Sequence, residues 1–169
     1  ICNPNNPAGT IYKKKELSKI LTLAKKFNSI VVCDEAYSEF TSKNSFISLA
    51  NLDKNLTNSI VVNSLSKNFG ISGWRIGYAF AKEKYIKKLI LMNQHLITCA
   101  PTILCQYLAE NFEKLSYTCR VQIKKLLKKR KKIVFFLKKN KIKYISSSST
   151  FYIFINIDKF HNSSFDFAM

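Results

Sequence analysis

Two short apolar runs most constrain how this chain can fold. Ser29-Ile30-Val31-Val32-Cys33 ends in Asp34, and Ser59-Ile60-Val61-Val62-Asn63 ends in Ser64-Leu65-Ser66-Lys67. Neither alternates polar with apolar residues, so each reads as a strand covered on both faces, the pattern of a parallel sheet in an α/β layer structure. From Lys14 to Phe27, Leu17, Ile20, Leu21 and Ala24 recur at helical spacing and place a helix ahead of the first run. Residues 1–3 read as the end of an earlier strand. That strand enters Asn3-Pro4-Asn5-Asn6-Pro7-Ala8-Gly9, where two prolines forbid helix and Gly9 permits a sharp reversal.

Further along, Trp74 to Ala81 reads as a third strand and Lys84 to Leu96 as a helix. Pro101 suits a first helical turn, and a long helical pattern follows from Thr102 to Lys139, with a break expected near Ser116. Ile142 to Ile145 and Phe151 to Ile157 read as strands joined by Ser146 to Ser149, part of a second, smaller domain. Ser163 to Met169 looks like a helix just starting. Residue 1 is Ile, and no secretory signal can be read ahead of the first strand.

Composition narrows the classes. With 169 residues and 47% apolar content the chain can bury one sizeable core, and no uninterrupted apolar stretch approaches the roughly 18 residues of a membrane span. The five cysteines are scattered without C-x-x-C spacing, which argues against a disulfide scaffold or zinc ribbon and for a reducing compartment. The net charge of +18 is almost all lysine, since only Arg75, Arg120 and Arg130 are arginines. In the densest run, Lys124 to Lys132, the apolar residues Ile123, Leu126, Leu127, Ile133, Val134 and Leu137 form a helical stripe, so a solvated helix face is favoured over nucleic-acid binding. His95 and His161 stand alone and read as structural or surface residues. Gly70, Gly73 and Gly77 do not form the dinucleotide fingerprint, and no P-loop motif occurs.

Three strand ends deliver polar side chains in succession: Asn6 after the first, Asp34 and Tyr37 after the second, and Ser64, Ser66 and Lys67 after the third. Ligands of open α/β sheets bind at such carboxyl ends. Asp34, following five apolar strand residues, is expected to be poorly solvated and to need a cationic or hydrogen-bonding partner. Lys67, in a confined and partly apolar site, is a candidate nucleophile toward a carbonyl. Arg75 lies in the glycine-rich stretch from Gly70 to Gly77, where a phosphate is its natural partner. Taken singly, each has a plainer reading: Asp34 as a helix cap, Tyr37 as a core aromatic, Asn6 as a turn former, Ser64 and Ser66 as loop hydroxyls, Lys67 as a surface lysine, Arg75 as an ion-pair partner.

Taken together, the motifs resemble the pyridoxal-phosphate-dependent class I/II aminotransferases of fold type I. Asn3-Pro4-Asn5-Asn6-Pro7-Ala8-Gly9-Thr10 is similar to that family's N-P-N-N-P-T-G turn, Asp34-Glu35-Ala36-Tyr37 to its D-E-x-Y, and Ser64-Leu65-Ser66-Lys67 through Gly73-Trp74-Arg75-Ile76-Gly77 to its S-x-S-K…G-x-R-x-G signature. Their order and separation match as well. The resemblance extends to Thr150-Phe151-Tyr152-Ile153-Phe154, similar to the strand that opens the family's small domain. It implies a three-layer α/β/α large domain with a mainly parallel mixed sheet over residues 1–115. It further implies a connecting long helix and the start of a small α+β C-terminal domain over residues 116–169.

By the same resemblance, Lys67 would hold pyridoxal 5'-phosphate as an internal aldimine, Asp34 would pair with the pyridine nitrogen, and Tyr37 and Asn6 would hydrogen-bond the ring's phenolate oxygen. Arg75, Ser64 and Ser66 would bind the phosphate. The substrates implied are an amino acid and a 2-oxo acid, in a cytoplasmic homodimer with neither nucleic acid nor membrane as partner. Alternatives within the fold are histidinol-phosphate transamination and a lyase or synthase reaction. A different class of reading is a degenerate, non-catalytic chain whose basic helix binds polyanions. Ala8 replaces the family's usual Thr, and an upstream segment with a stacking aromatic and a downstream carboxylate-binding arginine are absent, so the sequence reads as an internal fragment.

Overall fold

The computed structural model describes residues 1–42 and 45–169. Helix α1 (Lys14–Lys26) starts where the Glu16 carboxylate accepts a hydrogen bond from the Lys13 amide at 2.6 Å, which satisfies one of the amides left free at a helix start. Its apolar stripe faces strands β1 (Val31–Asp34) and β2 (Ser59–Ser64), which pair in parallel with Asp34 opposite Val62. Cys2 bridges to Asp34 in parallel on β1's other edge, the remnant of the expected first strand. Short helix α2 (Leu49–Leu52) joins α1 over the same face. There Leu17, Cys33, Leu49 and Val61 form a core with the half-buried Leu21, Ile47 and Leu52 around it.

After β2 the chain turns directly into α3 (Leu65–Asn68), then through a 3-10 turn at Ser72–Trp74 into β3 (Gly77–Phe80), antiparallel to β2 with Ser64 opposite Gly77. The α/β class and the mixed sheet are therefore as the sequence implies. The third strand is shorter than the expected Trp74 to Ala81, because residues 72–74 wind into the 3-10 turn instead. Coverage of the sheet also departs from expectation. Cys33 faces the helices, but Val32 and Asp34 on the opposite side of β1 are exposed, as are Tyr78 and Phe80 of β3. An unbroken apolar run does not by itself say which of its two faces is covered.

Helix α4 (Glu83–Leu96) follows, and then α5 (Thr102–Lys139) runs without interruption for 38 residues. No break occurs near Ser116. The segment contains no glycine or proline, and a single serine costs a helix too little to end it. Tertiary contacts also hold both halves. Leu104, Leu108 and Leu115 pack with Leu65, Ile76 and Trp74, while Ile123 and Leu127 pack with Ala36, Tyr37 and Phe40. Beyond α5, the two expected strands reduce to one antiparallel bridge between Tyr144 and Ile155. Phe154 and Ile155 are exposed there, and an isolated pair lacking a third strand or a covering helix has little to extend it. Helix α6 (Ser164–Ala168) closes the chain, with the Ser163 hydroxyl accepting from the Asp166 amide at 3.2 Å.

Candidate active site

The end of β1 carries Asp34. Its side chain is exposed, which corrects the expectation of a poorly solvated carboxylate: the strand's alternation points Asp34 to the uncovered face and sends Cys33 and Glu35 inward. Asp34 Oδ1 accepts the Ala36 amide at 2.9 Å, so the side chain caps the turn that leaves the sheet. The plain capping reading thus holds for this atom and leaves the carboxylate's other oxygen for a ligand. Glu35, only 3% exposed, accepts from the Leu49 amide at 2.8 Å and from the Ser48 hydroxyl at 3.0 Å, tying α2 to the strand end. Burial pushes its carboxyl above the usual range.

Tyr37 is 4% exposed and meets Phe40 and Phe151 edge-on. Its hydroxyl receives the Asn6 side-chain amide at 3.2 Å and lies 2.9 Å from the Tyr152 hydroxyl. Burial pushes the Tyr37 phenol up. Tyr37 is therefore both a core aromatic and a partner of Asn6. Asn6 sits in a turn closed by Gly9 N to Asn5 O at 2.8 Å and Asn5 N to Thr10 O at 2.9 Å. That turn docks on the serine loop after α5, where the Ser149 hydroxyl donates to Gly9 O at 2.6 Å.

The end of β2 carries Ser64, Ser66 and Lys67. Ser64 caps α3 by accepting the Ser66 amide at 3.2 Å, and Lys67 stands half-buried on that single turn of helix. The turn is anchored by Asn68, whose side-chain amide donates to Ser38 Oγ at 3.1 Å and to Asn63 Oδ1 at 3.0 Å. Asn68 Oδ1 accepts the Glu39 amide at 3.3 Å, so one buried carboxamide, next to Lys67 in sequence, joins the turn after β1 to the end of β2. Arg75 follows the 3-10 turn at φ +56°, a left-handed backbone that a non-glycine residue adopts at a cost of ~1–2 kcal/mol. Its guanidinium is exposed and donates to Ser72 O at 2.9 Å. Two residues on, a side chain at Gly77 would meet Asn63 O at 2.7 Å, so only glycine fits where β3 passes the end of β2.

The register brings the strand ends that carry Asp34, Ser64 and Gly77 to one end of the sheet. Asp34 lies beside Val62, two residues before Ser64, and Ser64 lies opposite Gly77, two residues after Arg75. Asn6 joins through Tyr37. Among the described residues, no hydrogen bond or ion pair links Asp34, Lys67 and Arg75 to one another. Each therefore keeps donors or acceptors for something else. Ser38, Asn63, Asn68 and Tyr152 escaped the sequence reading. Asn63 and Asn68 flank the S-x-S-K run, a position that could have flagged them, whereas nothing in the sequence ties Tyr152 to Tyr37.

The family model "Aminotransferase class I and II" matches residues 1–165. A probable N-acetyl-LL-diaminopimelate aminotransferase of Bacillus subtilis is 34% identical over 167 residues, covering 98% of this chain and 42% of that protein. A histidinol-phosphate aminotransferase of Thermoanaerobacter pseudethanolicus is 44% identical over 93 residues, covering 55% of this chain and 24% of that protein. A mutant aspartate aminotransferase of Thermus thermophilus superposes with a TM-score of 0.86 at 24% identity, over 96% of this chain and 43% of that one. Against such near-full matches, the chain spans about two-fifths of the other protein's length.

Proposed function

The chain belongs to the class I and II aminotransferases, and on that premise we propose that it serves pyridoxal-phosphate-dependent transfer of an amino group between an amino acid and a 2-oxo acid. What supports this reading is that the two strand registers put Asp34, Ser64 and Gly77 at one end of the sheet, with Lys67 three residues beyond Ser64 and Arg75 two residues before Gly77. The donor set fits the cofactor's chemistry. A phosphate ester calls for a cation and hydroxyls, which Arg75, Ser64 and Ser66 offer. An aldehyde calls for an amine, offered by Lys67 on its anchored turn. A pyridine nitrogen calls for a carboxylate, Asp34, and a phenolate oxygen for neutral donors, Tyr37 and Asn6.

Pyridoxal phosphate, when bound, supplies the electron-accepting ring that makes a substrate's α-proton removable. Lys67 Nζ would be the amine that anchors the cofactor's aldehyde and the base that would carry a proton to and from the substrate's α-carbon. Asp34 keeps a proton on the ring nitrogen. Arg75 and the two serines would hold the phosphate end, and Asp34 the ring nitrogen. Residues 1–115 belong on this reading to the cofactor-binding domain and 116–169 to the connecting helix and a smaller domain, with α5 as the rigid link. A cytoplasmic homodimer completes the proposal.

The test uses the full-length protein loaded with pyridoxal phosphate and then freed of unbound and loosely attached cofactor. A visible absorbance band is expected in the parent and none in Lys67→Ala, while Asp34→Ala retains a band of altered position. A band that survives Lys67→Ala unchanged overturns the assignment. The 44% identity to a histidinol-phosphate aminotransferase supports a second reading of the substrate. Turnover of histidinol phosphate in preference to aspartate would select it.

A further inference from the structure

Tyr152 lies 115 residues beyond Tyr37, yet their hydroxyls stand 2.9 Å apart. Asn6 donates to the same Tyr37 oxygen at 3.2 Å. A phenol has one proton to give and two positions at which to accept. Asn6 fills one of those positions, so the direction of the bond to Tyr152 decides whether Tyr37 keeps its proton for anything else. We propose that Tyr152 donates to Tyr37, so that Tyr37 accepts twice and its single proton is directed at the phenolate oxygen of bound pyridoxal phosphate. Tyr152 is then a positioning residue for the cofactor site, and the proposal rests on the cofactor reading above.

The surroundings of Tyr152 hold its backbone and ring in place beside Tyr37. Its amide donates to Thr150 Oγ1 at 3.2 Å, and its carbonyl accepts from Arg130 Nε at 3.2 Å. Arg130 is itself only 7% exposed and donates through Nη2 to Ser147 Oγ at 2.7 Å, so the backbone of Tyr152 is held from both sides. The rings of Tyr37 and Tyr152 meet edge-on at 5.6 Å, and Phe151 packs against both. The other titratable group acting on Tyr37 is Cys2, a thiol kept neutral by burial. The remaining partners of Tyr37 in this cluster, Ala36, Phe40, Ile123 and Leu127, carry no charge.

The consequence follows from hydrogen-bond cooperativity. A hydroxyl that accepts two hydrogen bonds is a stronger donor, by about 10–30%. A stronger donor makes the cofactor's phenolate less basic, so the proton shared between that oxygen and the Lys67 nitrogen leaves at lower pH. Removing the Tyr152 hydroxyl raises that pH. Against a charged acceptor the shift amounts to about 0.1–0.7 pH unit.

The experiment is an absorbance titration against pH of the full-length, cofactor-loaded protein as parent, Tyr152→Phe, Tyr37→Phe and the double variant. Tyr152→Phe is expected to raise the spectral midpoint within that range and Tyr37→Phe to raise it further. Adding Tyr152→Phe to Tyr37→Phe should change nothing more. An unmoved midpoint in Tyr152→Phe, even with a lowered melting temperature, leaves Tyr152 purely structural and overturns the inference. The same holds if its shift persists undiminished in the Tyr37→Phe background. A parent protein with no lysine-dependent band at all fails differently, because it removes the cofactor reading itself.

Discussion

Replacing Gly9 by alanine probes whether the turn that presents Asn6 is seated against the serine loop, and Gly70 provides a matched control. The two glycines have nearly the same backbone, φ +70° and +67°. Each alanine therefore meets the same left-handed cost, ~1–2 kcal/mol. Their surroundings differ. A Cβ at Gly9 would lie 2.7 Å from both Ser147 Oγ and the Ser149 carbonyl oxygen and 3.1 Å from Thr150 Oγ1, whereas at Gly70 nothing lies within 4 Å.

Relief at Gly9 is difficult. The Ser149 oxygen is backbone, the Ser147 hydroxyl is held by Arg130 at 2.7 Å, and the same loop donates Ser149 Oγ to Gly9 O at 2.6 Å. Forcing a methyl into such a contact adds ~1–3 kcal/mol. Gly9→Ala should thus cost about 2–5 kcal/mol and Gly70→Ala about 1–2 kcal/mol. Urea unfolding of the full-length protein, with unchanged slopes, would report the difference as a separation of midpoints. Equal midpoints for the two variants would refute the argument that this loop clamps the turn.

Two further outcomes follow from burial. Cys33 is fully buried, and desolvation, aided by nearby Glu35, pushes its thiol up from near 9 to about 12. Because the folded-state value is the raised one, its contribution is intact below pH 9 and is lost as pH climbs from 9 toward 12, an interval worth ~4 kcal/mol. Alkaline unfolding monitored by circular dichroism should shift upward in Cys33→Ala, and in the native parent a thiol reagent should label exposed Cys99 while sparing Cys33. Arg130→Lys keeps the charge but loses the planar fork that spans the Tyr152 carbonyl and Ser147, and should cost ~1–3 kcal/mol. Arg120→Lys alters only an exposed pair with Glu39 and should move the melting temperature by little or nothing.

Local pattern settled a good part of this molecule. Apolar runs marked β1 and β2, periodicity marked α1, α4 and α5 to within a residue or two, and the polar residues following each strand marked where the candidate site would lie. These features are legible because strand and helix periods, and the turn chemistry of proline and glycine, act over a few residues. What the pattern could not decide was solvation and distant contact. Whether Asp34 points to the covered or the open face, whether α5 runs through Ser116, and whether Phe151 to Ile157 find a partner strand all depend on what packs alongside.

The pairing of Tyr37 with Tyr152 is the clearest case. It joins a strand end to a loop more than a hundred residues away, and no periodicity carries information across that separation. Short-range sterics and periodic burial are written residue by residue. Exposure and hydroxyl-to-hydroxyl contact are properties of the assembled surface, decided only when α5 is laid against the turn that follows β1 and the serine loop closes over Gly9.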